Sequence, residues 1–514
     1  MTAVEEPPRR APAERRLAVG PSLQPTLAEL SRPGRGSPKV PHPPADALAR
    51  IPTNQLRQSP LGLPELSESE VIRHFVRLSQ LNYSIDGGFY PLGSCTMKFN
   101  PKINEWAARL PGFAALHPLA PAELAQGTLE LLWELERWLV EISGMHAVTL
   151  QPAAGAHGEL TGILMIRAYH AANGDPGRTD VIVPDSSHGT NPATASMAGF
   201  RTVTVRSAED GDVDLDALRA ALGPQTAAVM LTNPSTHGIF EARIIEILQA
   251  VHECGALAYM DGANMNAILG KFRPGAAGFD VMHFNTHKTF STPHGGGGPG
   301  AGPVAVSERL APFLPGPRVL RQDDGTFRLE RAGERATSIG RVRSYQGSTG
   351  VLLRAYAYML AHGGDGLEQV SEDAVLAANY LRSRLESTFE MAYPAPCMHE
   401  FVASAKALRA KSGVRMLDIA KRLIDYGYHP PTIYFPLTVE EGMLVEPTET
   451  ESVETLDAFA DALIAIAEEA QSDPDVVRGA PHDAPVRRLD EAGAARHPDL
   501  RWQPMTGRQM PCPD

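Results

Sequence analysis

Val281-Met-His-Phe-Asn-Thr-His-Lys-Thr-Phe290 is a short apolar run followed closely by a lysine. The run predicts a β-strand over 281–285, so the Lys288 amine is expected to project from the carboxyl end of that strand. An earlier candidate strand, Leu257–Asp261, ends on an acidic residue one strand–helix–strand step before it. Ligands bind at the carboxyl ends of strands in open parallel sheets. Lys288 and Asp261 are therefore expected to meet at one sheet edge.

The alternation of strands and helices extends well beyond this pair. Short apolar runs are separated by helical segments such as Leu215–Leu222 and Arg243–Glu253. This pattern predicts an α/β layer with helices on both faces of a largely parallel sheet. The candidate strands are Asp180–Pro184, Arg201–Val205, Ala227–Thr232, Leu257–Asp261, Val281–Asn285 and Val304–Val306.

Four regions are predicted along the 514 residues. Residues 1–55 are rich in Pro and Arg and are expected to form a flexible extension; an organelle-targeting peptide is the alternative, which the acidic residues in this segment disfavour. Residues 56–370 would form a large cofactor-binding domain with an N-terminal helical segment that starts near Glu68. Residues 371–475 would form a smaller C-terminal α/β domain, and residues 476–514 a polar tail.

Composition disfavours several classes of protein. Hydrophobic residues make up 43% of the chain, and the net charge of −13 argues against a nucleic-acid-binding surface. No stretch approaches about 18 consecutive apolar residues, so no membrane span is predicted. The four cysteines lack metal-binding spacing, so no metal site is expected, and a reducing cytoplasmic location fits their scatter.

The chemistry of Lys288 depends on its surroundings. A lysine at a strand end can be desolvated, which favours the uncharged amine that bonds to a carbonyl carbon. Asp261 at the neighbouring strand end can pair with a protonated pyridine nitrogen and keep that ring an electron sink. Taken singly, Lys288 would be an ordinary surface lysine and Asp261 part of a simple turn.

Further segments fit a phosphorylated aromatic ring. The small-residue loop Ala153-Ala-Gly-Ala-His-Gly158 leads into a helix-like run, and a helix N-terminus offers free N–H groups to a phosphate; a plain helix-entry turn is the alternative. His188 is placed to lie flat against the ring, although a lone loop histidine is usually polar surface. The glycines of 294–303 permit close backbone approach to a ligand or partner chain, or a hinge. Together these residues predict a pyridoxal-phosphate site of the aspartate-aminotransferase-like fold, fold type I.

Several longer strings make the resemblance specific. They are similar to the glycine dehydrogenase (decarboxylating) family, the P-protein of the glycine cleavage system, and in length the chain resembles subunit 2 of the two-chain form, or the C-terminal half of the single-chain form. The strings are PLGSCTMKFNP (91–101), LQPAAGAHGELTG (150–162), DSSHGTNPA (185–193), LTNPSTHGIFE (231–241), DGANMNA (261–267), FNTHKTFSTPHGGGGPGAGP (284–303) and VEPTETES (445–452).

The resemblance implies a role for each candidate residue. Lys288 would carry the cofactor covalently, Asp261 would pair with the pyridine nitrogen and His188 would stack on the ring. Asn264 would bond the phenolic oxygen of the ring. The remaining cofactor contacts would come from a phosphate loop and from the residue before the lysine, namely Ala154, Gly155, Ala156 and His287.

The activity implied is that of glycine dehydrogenase (aminomethyl-transferring), an oxidoreductase. Glycine would be decarboxylated with pyridoxal phosphate, CO2 released, and the aminomethyl group transferred to the lipoyl arm of the H-protein. The implied partners are subunit 1, with two copies of each subunit in a heterotetramer, and lipoylated H-protein. Two alternatives stay open: a non-catalytic scaffold subunit of the same complex, and another fold type I enzyme such as a cysteine desulfurase or an aromatic-acid decarboxylase.

Overall fold

The computed structural model describes residues 24–35, 44–59, 62–298, 300–331 and 333–500. The described residues form two compact units, one containing those up to Ser84 together with those from Ala480 onward, and the other Ile85–Gly479. Much of the predicted extension, residues 1–23 and 36–43, lies outside the described residues, as do 501–514 of the predicted tail. The domain boundaries and the flexibility of the extension stay predictions.

A seven-stranded sheet dominates the second unit, in the order β1-β7-β6-β5-β4-β2-β3. Strands β6, β5, β4, β2 and β3 run parallel, whereas β7 runs antiparallel to both of its neighbours. The strands are β1 (Ala147–Thr149), β2 (Asp180–Pro184), β3 (Arg201–Val205), β4 (Thr226–Thr232), β5 (Leu257–Gly262), β6 (Val281–Phe284) and β7 (Val304–Val306). All six predicted strands are confirmed, with ends displaced by at most one residue. Strand β1, at the edge of the sheet, is not among the predicted strands.

The parallel strands β2, β4, β5 and β6 are almost entirely buried and mainly apolar because both faces of the sheet are covered there. On β4, Val229 and Leu231 join the core on one face, and Ala228 and Met230 join the core on the other. Helices α6 (Gln126–Ser143) and α10 (Ile244–Glu253) and the start of α13 (Thr349–Leu385) cover the first face, and α7 (Gly155–Ala172) and α8 (Thr190–Met197) cover the second. The predicted fold class, helices on both faces of a largely parallel sheet, is confirmed.

Helix α7 sits unusually close to the sheet. A Cβ atom at Gly162 would lie 2.6 Å from Cε2 of the Tyr259 ring, and one at Gly158 would lie 2.5 Å from the carbonyl oxygen of Gly302. Contacts this short exclude any larger side chain, so the two glycines allow the helix to lie directly over β5, β6 and β7. The helix N-terminus is thereby brought to the sheet edge.

The helices confirm the predicted segments near Glu68, over 215–222 and over 243–253. They are α1 (Leu27–Leu30), α2 (Ala45–Ala49), α3 (Glu68–Leu81), α4 (Lys102–Ala108), α5 (Pro111–Ala114), α6 (Gln126–Ser143), α7 (Gly155–Ala172), α8 (Thr190–Met197), α9 (Leu215–Ala221), α10 (Ile244–Glu253), α11 (Pro274–Ala277), α12 (Thr286–Thr289), α13 (Thr349–Leu385), α14 (Lys406–Ser412), α15 (Met416–Asp425), α16 (Val453–Ser472), α17 (Pro474–Gly479) and α18 (Glu491–Arg496). None of these helices is both long and apolar enough to cross a bilayer.

The smaller sheet is antiparallel, in the order β10-β11-β13-β12. Its strands are β10 (Glu390–Met391), β11 (Phe401–Ser404), β12 (Thr432–Ile433) and β13 (Gly442–Val445), while β8 (Val319–Arg321) and β9 (Phe327–Leu329) form a separate hairpin. Helix α13 is kinked at Gly363 and serves both sheets: its residues as far as Val370 join the large-sheet core, and those from Ala378 join the small-sheet core. The smaller α/β part that the sequence predicts is present.

Candidate active site

Lys288 lies on the short helix α12, directly after β6, as the sequence predicts. The side chain is half-buried, and no hydrogen bond or ion pair engages its amine in the part of the chain that the structure describes. Burial has the largest effect on the pKa values of the surrounding groups, and the positive charge of Lys288 acts to lower each of them. Those groups are Cys95, His188, Asp261, His283, His287, His294, His399 and Glu400. A free amine thus stands at the centre of a titratable cluster.

Asp261 ends β5 and is only 5% exposed. One carboxylate oxygen accepts a hydrogen bond from the backbone N–H of Ala263 at 3.0 Å, and the other accepts one from the amide of Asn191 at 3.1 Å. Burial raises the pKa of Asp261, but His283, Lys288 and these two donors outweigh it and hold the pKa below its ordinary value. Asp261 is therefore an ionised, dry carboxylate, as a partner for a protonated ring nitrogen must be.

His283 connects Asp261 to a buried hydroxyl. The two residues are paired in register on β5 and β6, and Nε2 of His283 lies 3.4 Å from an Asp261 oxygen. On its other side, Nδ1 lies 2.8 Å from the hydroxyl of Tyr259. Burial lowers the pKa of His283 against the opposing effect of the Asp261 charge. With a proton on Nε2 the ring can face Asp261 as a donor while Nδ1 accepts from the tyrosine.

Glu159 projects from α7 toward the same carboxylate and is 1% exposed. Oxygen atoms of Glu159 and Asp261 lie within 4.8 Å of each other. Burial, followed by the negative charge of Asp261, raises the pKa of Glu159 to about 7. Two buried carboxyl groups this close resist ionising together, so below about pH 7 Asp261 keeps the charge and Glu159 keeps the proton.

The predicted phosphate loop forms the N-terminus of α7, which begins at Gly155 after Ala154. The N–H groups of Gly155, Ala156 and His157 belong to the first turn and make no hydrogen bond to other described residues. A Cβ atom at Gly155 would lie 1.7 Å from the side-chain oxygen of Asn285, so only glycine allows this turn to meet the end of β6. The loop offers free donors and a positive helix end at the edge that carries Lys288.

The glycine-rich segment approaches the chain's own loop. The N–H of Gly302 donates to the carbonyl oxygen of Pro152 at 3.0 Å, and a Cβ atom at Gly302 would lie 2.0 Å from the carbonyl oxygen of Ala154. At Gly302 the close neighbour is thus the chain's own loop before α7, and the predicted approach to a ligand or partner chain stays a prediction. Gly302 supports that loop from behind.

These groups fit pyridoxal phosphate. The amine of Lys288 is free for an aldehyde, ionised Asp261 suits the ring nitrogen, and the first turn of α7 suits the phosphate. In addition, three buried side-chain oxygens have no hydrogen-bond partner among the described residues: Oε1 of Glu159, Oδ1 of Asn191 and Oδ1 of Asn285. Buried polar atoms are normally paired, so orphaned oxygens clustered at one edge indicate a site built for a bound polar group.

Two of the predicted histidines lie near Lys288. His188 is exposed; its Nδ1 accepts from the N–H of Thr190 at 3.2 Å, and its ring meets Phe435 edge-on at 6.2 Å between centroids. His287 meets His294 edge-on at 4.6 Å, and burial lowers the pKa of His287 to about 3. Both imidazoles are within electrostatic reach of Lys288, and their contacts to the cofactor stay predictions.

Asn264 is engaged in a different set of contacts. Its amide donates to the hydroxyl of Thr96 and to Glu446, the latter at 2.8 Å, and its oxygen accepts from the N–H of Asn266 at 2.9 Å. The side chain is thus held by the loop containing Thr96. A bond to the cofactor's phenolic oxygen stays a prediction, and it would compete with these contacts.

Several residues of the site were not singled out from the sequence. Asn191 and Glu159 stand inside the quoted strings 185–193 and 150–162 without an assigned role, and His283 interrupts an otherwise apolar buried strand. A polar residue in a buried strand was the available signal for His283. Glu159 gave none, because its partner Asp261 is distant in sequence.

Comparisons with known proteins agree on one family. The family described as "Glycine dehydrogenase, C-terminal domain" matches residues 370–484, and "Aminotransferase class-V" matches residues 163–321. The probable glycine dehydrogenase (decarboxylating) subunit 2 of Shouchella clausii is 57% identical over 482 residues, which cover 93% of this chain and 97% of that protein. The protein of the same name in Methylococcus capsulatus is 56% identical over 481 residues, covering 93% and 98%.

Solved structures support the fold. A crystal structure of glycine decarboxylase (P-protein) of the glycine cleavage system, in inhibitor-bound form, matches with a TM-score of 0.68 at 23% identity, covering 82% of this chain and 94% of that one. Glutamate decarboxylase of Lactobacillus brevis matches with a TM-score of 0.61 at 14% identity, covering 83% and 97%. At such identities the likeness concerns the fold, and the predicted fold is confirmed.

Proposed function

Because the chain belongs to the glycine dehydrogenase (decarboxylating) subunit 2 family, we propose that it catalyses the decarboxylation of glycine in the glycine cleavage system, with transfer of the aminomethyl group to the lipoyl arm of the H-protein. The observation that carries the proposal is the pairing at one sheet edge of a free amine, Lys288, with an ionised buried carboxylate, Asp261. A scaffold subunit would have no need of either group.

Each residue of the site has a role that follows from its position. Pyridoxal phosphate, the cofactor of this family, supplies when bound an aldehyde that bonds to amines and a ring that accepts an electron pair. Lys288 would hold this group covalently through its amine. Asp261 would keep a proton on the ring nitrogen, which would favour the loss of CO2 because positive charge would be held where negative charge develops. Gly155 and Ala156 would bind the phosphate through their N–H groups.

His283 and Glu159 support Asp261 from behind. The Nε2 proton of His283 and the amide of Asn191 face the carboxylate and keep it ionised. Glu159 holds its own proton and so adds no second negative charge beside Asp261. Replacement of water by such fixed donors stabilises a charge more strongly than solvent does in a buried site.

The net reaction balances with the lipoyl disulfide as the oxidant. The C–C bond of glycine breaks and CO2 leaves, and the methylene carbon bonds to one lipoyl sulfur. The S–S bond breaks, and the other sulfur takes the electron pair and a proton. Glycine is oxidised in this step and the disulfide is reduced, so no further redox partner is required.

The name of the family denotes one subunit of a larger enzyme. We propose that the partner is subunit 1 of glycine dehydrogenase, with two copies of each subunit, and that lipoylated H-protein docks on the assembled complex. The cytoplasmic location expected from the composition belongs to the same proposal.

Exchange of labelled CO2 into the carboxyl group of glycine tests the proposed function. The complete complex, with lipoylated H-protein, is expected to exchange label into glycine and not into cysteine or aromatic amino acids. Exchange into those other amino acids would indicate a different fold type I enzyme. Absence of both exchange and cofactor absorbance in the folded chain would indicate a scaffold subunit.

A further inference from the structure

Lys98 is a fully buried cation with no place in the roles assigned above. Its side chain is 0% exposed, and its ammonium lies 2.7 Å from Glu449, 2.9 Å from the side-chain oxygen of Asn266 and 2.9 Å from the carbonyl oxygen of Thr289. The hydroxyl of Tyr358 is more distant, at 3.2 Å. An ammonium has three N–H donors, so the three shorter contacts account for all of them.

Two of these three acceptors belong to the segments that carry the reaction. Asn266 stands in the turn after Asp261 on β5, and Thr289 is the residue next to Lys288. A direct bond, from the N–H of Met265 to the Thr289 hydroxyl at 3.0 Å, runs beside the ammonium. The Lys98 ammonium therefore hydrogen-bonds both to the turn after Asp261 and to the helix that carries Lys288. The spacing between these two groups defines the geometry of the site.

Glu449 completes the arrangement from the segment after β13. Its second oxygen accepts from the Asn266 amide at 3.0 Å, so Lys98, Glu449 and Asn266 form a closed triangle of hydrogen bonds. Glu449 neutralises Lys98, and both side chains are almost free of solvent, at 8% and 0% exposure. Such a triangle holds its members in one geometry, because breaking any of its hydrogen bonds would leave a buried polar group unpaired.

We propose that Lys98 is a positioning residue for the reaction at Lys288: it ties helix α12 to the turn that follows Asp261 and so sets the spacing between amine and carboxylate. The inference rests on the proposed function, because it presumes that Lys288 carries the cofactor. The rival explanation is that Lys98 contributes only to folding. The two differ in what happens when both buried charges are removed together.

The test uses Lys98→Met, Glu449→Gln and the double variant, each assembled with its partner subunit. The control is Lys271→Met, which removes an exposed lysine that pairs with Glu368 and Glu372. Three quantities are measured: the thermal midpoint without cofactor, the dissociation constant of pyridoxal phosphate, and the fraction of bound cofactor that borohydride traps on Lys288. The kcat and KM for glycine are recorded separately.

The single variant Lys98→Met is expected to lose stability because Glu449 is left unpaired. The double variant is expected to recover the thermal midpoint of the control. It is not expected to recover the geometry of the site around Lys288. Its trapped fraction falls, and kcat falls about 100-fold with a smaller change in KM, the effect expected of a displacement of about 1 Å. A folded double variant with wild-type trapping and kcat would overturn the proposal.

Asn266→Ala covers the case in which the double variant does not fold. This substitution removes the hydrogen bonds of the Asn266 side chain to Lys98 and Glu449, which connect them to the turn after Asp261. The ion pair between Lys98 and Glu449 stays in place. A reduced trapped fraction is expected, and wild-type trapping and kcat in this variant would likewise overturn the proposal. If borohydride attaches the wild-type cofactor to a lysine other than Lys288, the proposed function fails first, and that outcome is read from the wild-type protein alone.

Discussion

Glu159→Gln is expected to make the cofactor-free protein more stable at alkaline pH. Glu159 is 1% exposed, and burial together with Asp261 raises its pKa from 4.5 to about 7. Between these values the folded protein keeps a proton that the unfolded chain has already released. The free energy of unfolding of the wild type therefore falls as the pH rises through this window. Glutamine has no proton to lose, so the variant escapes that fall.

The size of the effect follows from the pKa. A rise from 4.5 to about 7 corresponds to roughly 3 kcal/mol at about 1.4 kcal/mol per pH unit. The free energy of unfolding of Glu159→Gln, relative to that of the wild type, is therefore expected to be higher by this amount above pH 7 than near pH 4.5. Glutamine has nearly the same size and shape as the glutamic acid, so the packing at this position changes little.

Urea unfolding at about pH 5 and about pH 8.5 provides the measurement. The matched control is Glu253→Gln, which removes an exposed carboxylate from α10. The stability of Glu159→Gln relative to wild type is expected to increase between the two pH values, and that of the control to stay constant. If Glu159→Gln follows the wild-type pH dependence, Glu159 is ionised beside Asp261 and the charge assignment at the site is wrong.

Lys288→Ala is expected to abolish turnover in a folded protein, with Lys271→Ala unaffected; peptide mapping after borohydride treatment that finds the cofactor on another lysine would contradict the assignment. Asp261→Asn is expected to keep cofactor but to release CO2 about 10- to 100-fold more slowly, because hydrogen bonds to charged groups contribute about 1.5–3 kcal/mol. Near-wild-type release at full cofactor occupancy would count against that role. The chain without its partner is expected to be weakly active or inactive, and to form with the partner an obligate interface above roughly 2,000 Å². Full glycine-dependent CO2 exchange by a monodisperse preparation of the chain alone would show that the partner is dispensable.

The fold was predictable because its signals are local. Continuous apolar runs in the buried parallel strands stand out from the helical segments between them, and all six predicted strands are present within one residue. The exception, β1, is three residues long and pairs antiparallel with β7, from which it is separated by most of the sheet in sequence. Strand β1 lies at the edge of the sheet, and its pairing with β7 is brought about only by the complete fold.

The site was predictable to the extent that its residues end strands or begin helices. Lys288 follows β6, Asp261 ends β5 and Gly155 begins α7, so the topology alone brings them to one edge. The topology does not predict which contacts a side chain makes once it lies at that edge. The contact of Asn264 with the cofactor is implied by the resemblance alone and stays a prediction, and the sequence does not show that its amide donates to Thr96 and Glu446.

The residues that hold the site together carry no local signal at all. Lys98 and Glu449 are 351 positions apart, and each stands in a segment without regular structure. In isolation a lysine in a loop is an exposed cation, and only the complete fold converts it into a buried one by placing a carboxylate and two further acceptors around it. The cost of burying a charge makes such a conversion improbable unless all partners arrive together. The long strings that contain these residues, 91–101 and 445–452, are therefore best understood as two halves of one contact, and a change in either half is expected to be tolerated only with a compensating change in the other.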